Sequence, residues 1–243
     1  MKITLLFPMY NEEKIISNTL ATVLPYMKEN FKDGYEILFV NDGSRDGCAA
    51  IVAACEDPCV RLVSYEENRG KGYAIRKGVA EARGDIVMFT DCDLAYGTDV
   101  IREFYDVLVE SGAGAAVGSR PLHKDGYAGY TFLRKLVSRT YLRVLRLFGG
   151  LRLSDSQCGC KAFRGREAKA IFSLCTVDRF AFDMEAIMIA DRLGVKIKEI
   201  PVTVKNHGES KVSVLRDTPK MLRDLVKMKR RIRRMNIEKL EDK

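Results

Sequence analysis

The chain has 243 residues, 47% of them hydrophobic and 30% charged, with a formal net charge of +8. That balance excludes a disordered chain, suffices for a full core, and points to an anionic partner such as a nucleotide, a membrane surface or a nucleic acid. No apolar run approaches the ~20 residues that cross a bilayer, and the apolar stretch of the opening MKITLLFPMYNEE is too short for a signal peptide, so any membrane contact is expected from one side only.

Taken in order, Ile3 to Phe7 reads as a strand stopped by Pro8, and Glu12 to Lys28 as a helix. Tyr35 to Val40 is a strand and Asp46 to Cys55 a helix. Val60 to Tyr65 and Asp85 to Thr90 are strands, separated by a helix from Gly72 to Ala82. A helix from Thr98 to Glu110 precedes a further strand from Ala113 to Gly118. Short apolar strands alternating with helices predict an α/β fold with a mostly parallel sheet flanked by helices. The second half differs. Tyr130 to Phe148 and Asp217 to Met235 read as basic amphipathic helices. SDSQCGCKAF reads as a loop running into a strand, Gly165 to Leu174 and Phe182 to Leu193 as helices, and Val195 to Val204 as a strand. The whole chain is expected to form one domain, with residues 1–120 and 121–243 as its two halves.

In parallel sheets, ligands bind beyond the carboxyl ends of the strands. Those ends carry PMYNEE, NDGSRDG, ENRGKG and DCDLAYG. The last is the most informative. An apolar strand ends in two carboxylates one residue apart, Asp91 and Asp93, and such a pair repels itself unless donors, water or a cation compensate. It is either a polar turn or a divalent-metal site. The glycines flanking Lys71 suit a backbone that must approach a ligand closely, with Lys71 and Arg69 able to meet phosphate. Seven cysteines form no paired CxxC set, and His123 and His207 are the only histidines. A zinc site is therefore not expected, and reduced thiols in a cytosolic protein are.

Together FPMYNEE, VNDGSRDG, NRGKGYAIRKG, FTDCDLA, DSQCGCKAF, RFAFDMEAI and GESK, in this order, resemble the family 2 glycosyltransferases of GT-A (Rossmann-like) fold. The resemblance is to the branch that moves a sugar onto a polyprenyl or dolichyl phosphate, and it runs from Phe7 to about Lys229. It implies that Asp91 and Asp93 hold Mg²⁺ or Mn²⁺ against the donor diphosphate. It also implies that Pro8, Tyr10, Glu12 and Asp42 receive the nucleobase and that Lys71 meets the phosphates. From the residues alone, Glu12 is equally a helix-start acid favoured by the dipole. Ala95 stands where the mannosyl branch carries Gln, which favours UDP-glucose over GDP-mannose as the donor.

On the acceptor side, the resemblance implies that Arg120, Arg134 and Ser138 grip the acceptor phosphate. Asp155, Gln157, Asp183, Lys205 and Lys211 are implied as sugar or phosphate contacts. For Asp183, the residue pattern alone equally allows an acid complementing a helix start. The stripe Lys135, Arg139, Arg143 and Arg146 is either a solvated face or an interfacial one. The nine Lys and Arg from Arg216 to Arg234, against two Asp, make an anionic membrane surface the expected partner rather than nucleic acid. The expected activity is inverting transfer of a hexose from a nucleotide sugar to a polyprenyl phosphate. The protein would lie peripherally on the inner face of a membrane, with a separate transmembrane partner if one is needed. The alternatives are another acceptor (polysaccharide, diacylglycerol or protein) and a non-enzymatic basic protein binding membrane or RNA.

Overall fold

The structure, a computed structural model, describes residues 1–127, 153–179, 181–206 and 225–240. Seven strands form one mixed sheet: β1 (Ile3–Met9), β2 (Tyr35–Asp42), β3 (Val60–Tyr65), β4 (Ile86–Phe89), β5 (Ala115–Ser119), β6 (Lys161–Arg164) and β7 (Ile197–Pro201). The spatial order is β3-β2-β1-β4-β6-β5-β7. Pairs β1–β2, β1–β4, β2–β3 and β5–β7 are parallel, and β6 runs antiparallel to both neighbours. The helices are α1 (Glu13–Asn30), α2 (Cys48–Ala53), α3 (Lys71–Glu81), α4 (Asp99–Ser111), α5 (Gly165–Leu174) and α6 (Phe182–Arg192). Residues 225–234 are also helical.

Successive strand residues point to opposite faces, and both faces are covered. On one side Leu6, Leu38, Val40, Val87 and Phe89 pack with α3, α5, α6 and the helix at 225–234. On the other, Ile3, Leu5, Phe7, Ile37, Phe39 and Met88 pack with α1 and α4. This two-sided burial is why the strands read as continuous apolar runs.

One expectation changes. Pro8 does not end β1, which runs to Met9 with Pro8 opposite Val40. Leu6 O accepts the Thr90 N–H, so Leu6 and, two residues on, Pro8 face the β4 side. Strand β4 has ended there, and the missing proline N–H costs no ladder bond. Strand β6, for which the sequence offers no position in the sheet, inserts between β4 and β5. The alternation of strands and helices carries no information on spatial order, and this insertion brings the 154–160 loop onto the tip of β4. The helix predicted over Tyr130 to Phe148, and the first part of that over Asp217 to Met235, lie outside the described residues.

Candidate active site at the strand tips

The loops after β1, β2 and β3 are locked to one another by side chains. Asn11 adopts a left-handed backbone (φ 53°), which Asn tolerates better than most residues. Its N–H donates to Ser44 Oγ at 3.0 Å, and its Oδ1 accepts the Arg45 N–H at 2.9 Å. Asn41 Oδ1 accepts the Ser44 N–H at 3.0 Å. Gly43 (φ 65°) is needed twice over. Its conformation is left-handed, and a β-carbon would sit 2.6 Å from both Glu66 O and Asn68 N.

The buried Asp42 carboxylate ties down the next loop. Oδ1 accepts from Tyr65 Oη at 2.9 Å and Arg69 N at 2.7 Å; Oδ2 accepts from Asn68 Nδ2 at 2.9 Å and Gly70 N at 2.8 Å. A carboxylate has about four acceptor positions, and all are filled. The expectation that Asp42 receives a nucleobase proton is thus corrected: its carboxylate builds the loop that leads to Lys71. Tyr10, in the loop after β1, is 37% exposed. Arg69 is stacked over the Tyr73 ring, 3.8 Å from its centre.

Lys71 opens α3, and its Nζ lies 2.5 Å from Asp91 Oδ1. Burial opposes its charge, but Asp91, Asp183 and Asp93 outweigh that and hold the ammonium above the ordinary lysine range. On the other side of Asp91 stands Gly159, where a β-carbon would lie 2.5 Å from Asp91 Oδ2. Along the loop, Cys92, Leu94 and Tyr96 are buried while Asp91, Asp93 and Ala95 keep partial exposure. That alternation puts both carboxylates on the open side, which answers why the two acids are spaced by one residue. Burial, then repulsion from Asp91, raises the proton affinity of Asp93, although the Ala95 N–H donates to its Oδ1 at 3.0 Å.

The residues fit a hard divalent cation. The donor set is oxygen only, the site is short of positive charge at Asp93, and the Lys71 ammonium already occupies a cation-like position on Asp91. Among the described residues no group of three or more His, Cys, Asp or Glu gathers to hold a metal. Two carboxylates are what Mg²⁺ or Mn²⁺ needs when substrate phosphates and water complete the shell.

The segment following β7 returns to brace this loop. Lys205 N and Asn206 N donate to Ala95 O at 2.7 and 3.2 Å, and Asn206 Nδ2 donates to Asp93 O at 3.2 Å. Lys205 Nζ pairs with Asp99 at 2.9 Å and lies alongside Gly97. It borders a groove of about 620 Å³ that Asp93, Asp99 and Asn206 also line.

Two further expected contacts are internal. Arg120 forms a two-pronged pair with Asp155, Nε to Oδ2 at 2.6 Å and Nη2 to Oδ1 at 2.9 Å, and Asp155 is fully buried. Asp155, expected at sugar hydroxyls, instead holds Arg120 and the Gln157 N–H. Arg120, expected on the acceptor phosphate, has that fork occupied. Gln157 differs: its Nε2 is buried with no hydrogen-bond partner among the described residues. Asp183 is 7% exposed and accepts from Lys161 Nζ at 2.5 Å. Burial raises its proton affinity against the pull of Lys161 and Lys71. Arg134, Ser138 and Lys211 lie outside the described residues.

Asn11, Lys161, Gly159 and Asn206 were not anticipated. Lys161 had a signal in the sequence, a lone cation inside the apolar run CGCKAF. Fully buried, its Nζ also donates to Cys158 O at 2.5 Å, which fixes the loop carrying Gly159.

Comparison with known proteins identifies the family and the fold. The description glycosyl transferase family 2 matches residues 4–172. The chain is 34% identical over 236 residues to a dolichyl-phosphate beta-glucosyltransferase of Trichomonas vaginalis, covering 93% of this chain and 72% of that protein. It is 32% identical over 223 residues to another from the same organism, covering 87% and 66%. The chain thus spans about two thirds to three quarters of these relatives. Among solved structures it matches glucosyl-3-phosphoglycerate synthase from Mycobacterium tuberculosis, crystallised with Mn²⁺, uridine diphosphate and glucosyl-3-phosphoglycerate. The TM-score is 0.67 at 22% identity, covering 95% of this chain and 79% of that one. At that identity the likeness establishes the fold. The chain belongs to glycosyl transferase family 2 and is a glycosyltransferase of GT-A fold.

Proposed function

We propose that the protein transfers glucose from UDP-glucose to a polyprenyl phosphate of the dolichyl type at an anionic membrane surface, with inversion at the anomeric carbon. The observation that carries the reading is the convergence of Lys71, Asp91 and Asp93 on the rim shared with Tyr10 and the glycine loop. The names of the relatives support the acceptor and the sugar, and a uridine nucleotide with Mn²⁺ in a neighbour of the same fold supports the donor.

Asp91 and Asp93 would hold Mg²⁺ or Mn²⁺, which when bound neutralises charge on a departing diphosphate. The chain's own residues do the rest. Lys71 brings a second positive charge to the same place, and Tyr10 offers a ring face to the base. Gln157, with a buried and unpartnered donor among the described residues, is assigned to a sugar hydroxyl. An attacking phosphate monoester, with a second pKa of about 6, is largely dianionic at neutral pH. It therefore calls for positioning rather than a strong general base. Arg134 and Ser138 are the residues assigned to that positioning, and Arg120 orders the neighbouring loop through Asp155.

The helix at 225–234 turns Leu225, Met228 and Ile232 inward and exposes Lys227, Arg230, Arg233 and Arg234. Each such side chain contributes about 1 kcal/mol near an anionic surface, so the helix suits peripheral attachment at the cytoplasmic face. No helix among the described residues is long and apolar enough to cross a membrane. The test is transfer of labelled glucose from UDP-glucose to dolichyl phosphate in anionic vesicles with Mn²⁺. Lipid-linked glucose supports the reading. Product from GDP-mannose alone, or from a non-phosphorylated acceptor alone, overturns it.

A further inference from the structure

Glu185, on α6, is fully buried. Its Oε2 accepts the N–H groups of Thr176 and Val177, both at 2.8 Å, and its Oε1 accepts Thr176 Oγ1 at 3.0 Å. The charge is balanced from the helix at 225–234, where Arg231 Nη2 reaches Glu185 Oε1 at 2.6 Å and Leu174 O at 3.0 Å. The segment pinned in this way is the seat of the glycine loop. Tyr73 N–H donates to Asp178 O at 3.2 Å. Arg76 donates to Val177 O at 3.2 Å and pairs with Asp178 at 2.5 Å. A β-carbon on Gly72 would lie 2.4 Å from Val177 O, and one on Gly70 2.6 Å from Asp178 O. Lys71, between those glycines, is the residue that meets Asp91.

We infer that Arg231 and Glu185 are positioning residues for the donor loop Gly70–Gly72, acting through the backbone of residues 176–178. The helix with the exposed basic face is thereby joined mechanically to the nucleotide site. Both residues lie beyond the family match, which ends at residue 172. The inference about nucleotide affinity rests on the donor reading above; the inference about the loop does not. Buried carboxylates with all their donors in place are rigid, and removing one partner frees the rest to rearrange.

The test is Arg231→Met on the full chain, read in two ways. Hydrogen exchange at the amides of residues 70–73 should speed up, with β1 and β2 unchanged. The Kd for UDP with Mn²⁺ should rise roughly tenfold while the KM for dolichyl phosphate stays put. Arg231→Lys keeps the charge but loses the two-point grip, and should recover part of both effects; it also carries the test if Arg231→Met does not fold. Unchanged exchange at residues 70–73 in a folded variant overturns the link. Faster exchange in Arg231→Met, together with a wild-type protein that binds no uridine nucleotide, would retain the link and overturn only the donor assignment.

Discussion

The ammonium of Lys71 sits 2.5 Å from Asp91 Oδ1, at the junction of two loops that follow different strands. One loop comes from β3 and is shaped by Asp42; the other comes from β4 and is covered by Gly159. The contact therefore joins the glycine loop to the loop of paired aspartates, the parts that the proposed function assigns to phosphate and cation, and most expectations for the protein follow from it.

Replacing Lys71 by Met removes a positive charge from the place where a leaving diphosphate would lie. Removing one such preorganised group lowers kcat on the order of 10²-fold. Steady-state kinetics with UDP-glucose should show that loss with the circular dichroism spectrum intact. Kinetics within twofold of wild type would mean that Lys71 serves the fold alone.

Asp93 should trade stability for activity. Burial and the charge of Asp91 raise its folded-state pKa above the ordinary aspartate value of 3.8. As pH rises through that window, the unfolded chain gives up this proton first, so folding stability falls and Asp93 costs stability at neutral pH. Asp93→Asn should thus unfold at a higher temperature than wild type at pH 7, with the gap closing towards pH 4. It should also lose the rise in melting temperature that Mn²⁺ gives the wild type. A lower melting temperature for the variant at pH 7 would show that the proton is not the governing term.

The Arg120–Asp155 pair should behave in the opposite way. Burial pushes the Asp155 carboxyl up, but Arg120 and its hydrogen bonds outweigh this and hold it below the usual value. Its contribution is present above about pH 4 and is lost as pH falls through the lowered folded value. Asp155→Asn leaves a buried guanidinium without its counter-charge and should cost about 3–5 kcal/mol at pH 7. Urea denaturation at pH 7 and at pH 3.5 measures both statements. Equal losses at the two pH values would contradict the pairing.

Gly159→Ala is a probe of position rather than charge. The added methyl would lie 2.5 Å from Asp91 Oδ2, so the carboxylate must move. A displacement of about 1 Å at a reacting centre can cost on the order of 10²-fold in rate. Activity should fall while the melting temperature changes little; full activity would mean that Asp91 has room to move without consequence.

How much of this was legible in the sequence follows from what each signal encodes. The apolar strands and their polar tips encode local structure, and α5 fell where its residues placed it, Gly165–Leu174. Asp91 and Asp93 stood out because like charges one residue apart demand compensation. The insertion of β6 is a long-range pairing that no local pattern records. Asp42 and Asp155 were misread for a related reason. A carboxylate in a polar loop looks the same whether it faces a ligand or its own backbone, and only the positions of Gly70, Arg69 and Arg120 decide. Lys161 was visible as a cation in an apolar run but had no partner in sight, because Asp183 lies 22 residues away.

The most direct measurement of the central claim is calorimetric titration of UDP-glucose into the wild-type chain and into Asp91→Ala, each with Mn²⁺ and with chelator. The account predicts binding to the wild type that needs Mn²⁺, is lost in Asp91→Ala, and is not matched by GDP-mannose. Equal affinity in all four titrations would place the nucleotide sugar somewhere other than the tips of β1 and β4.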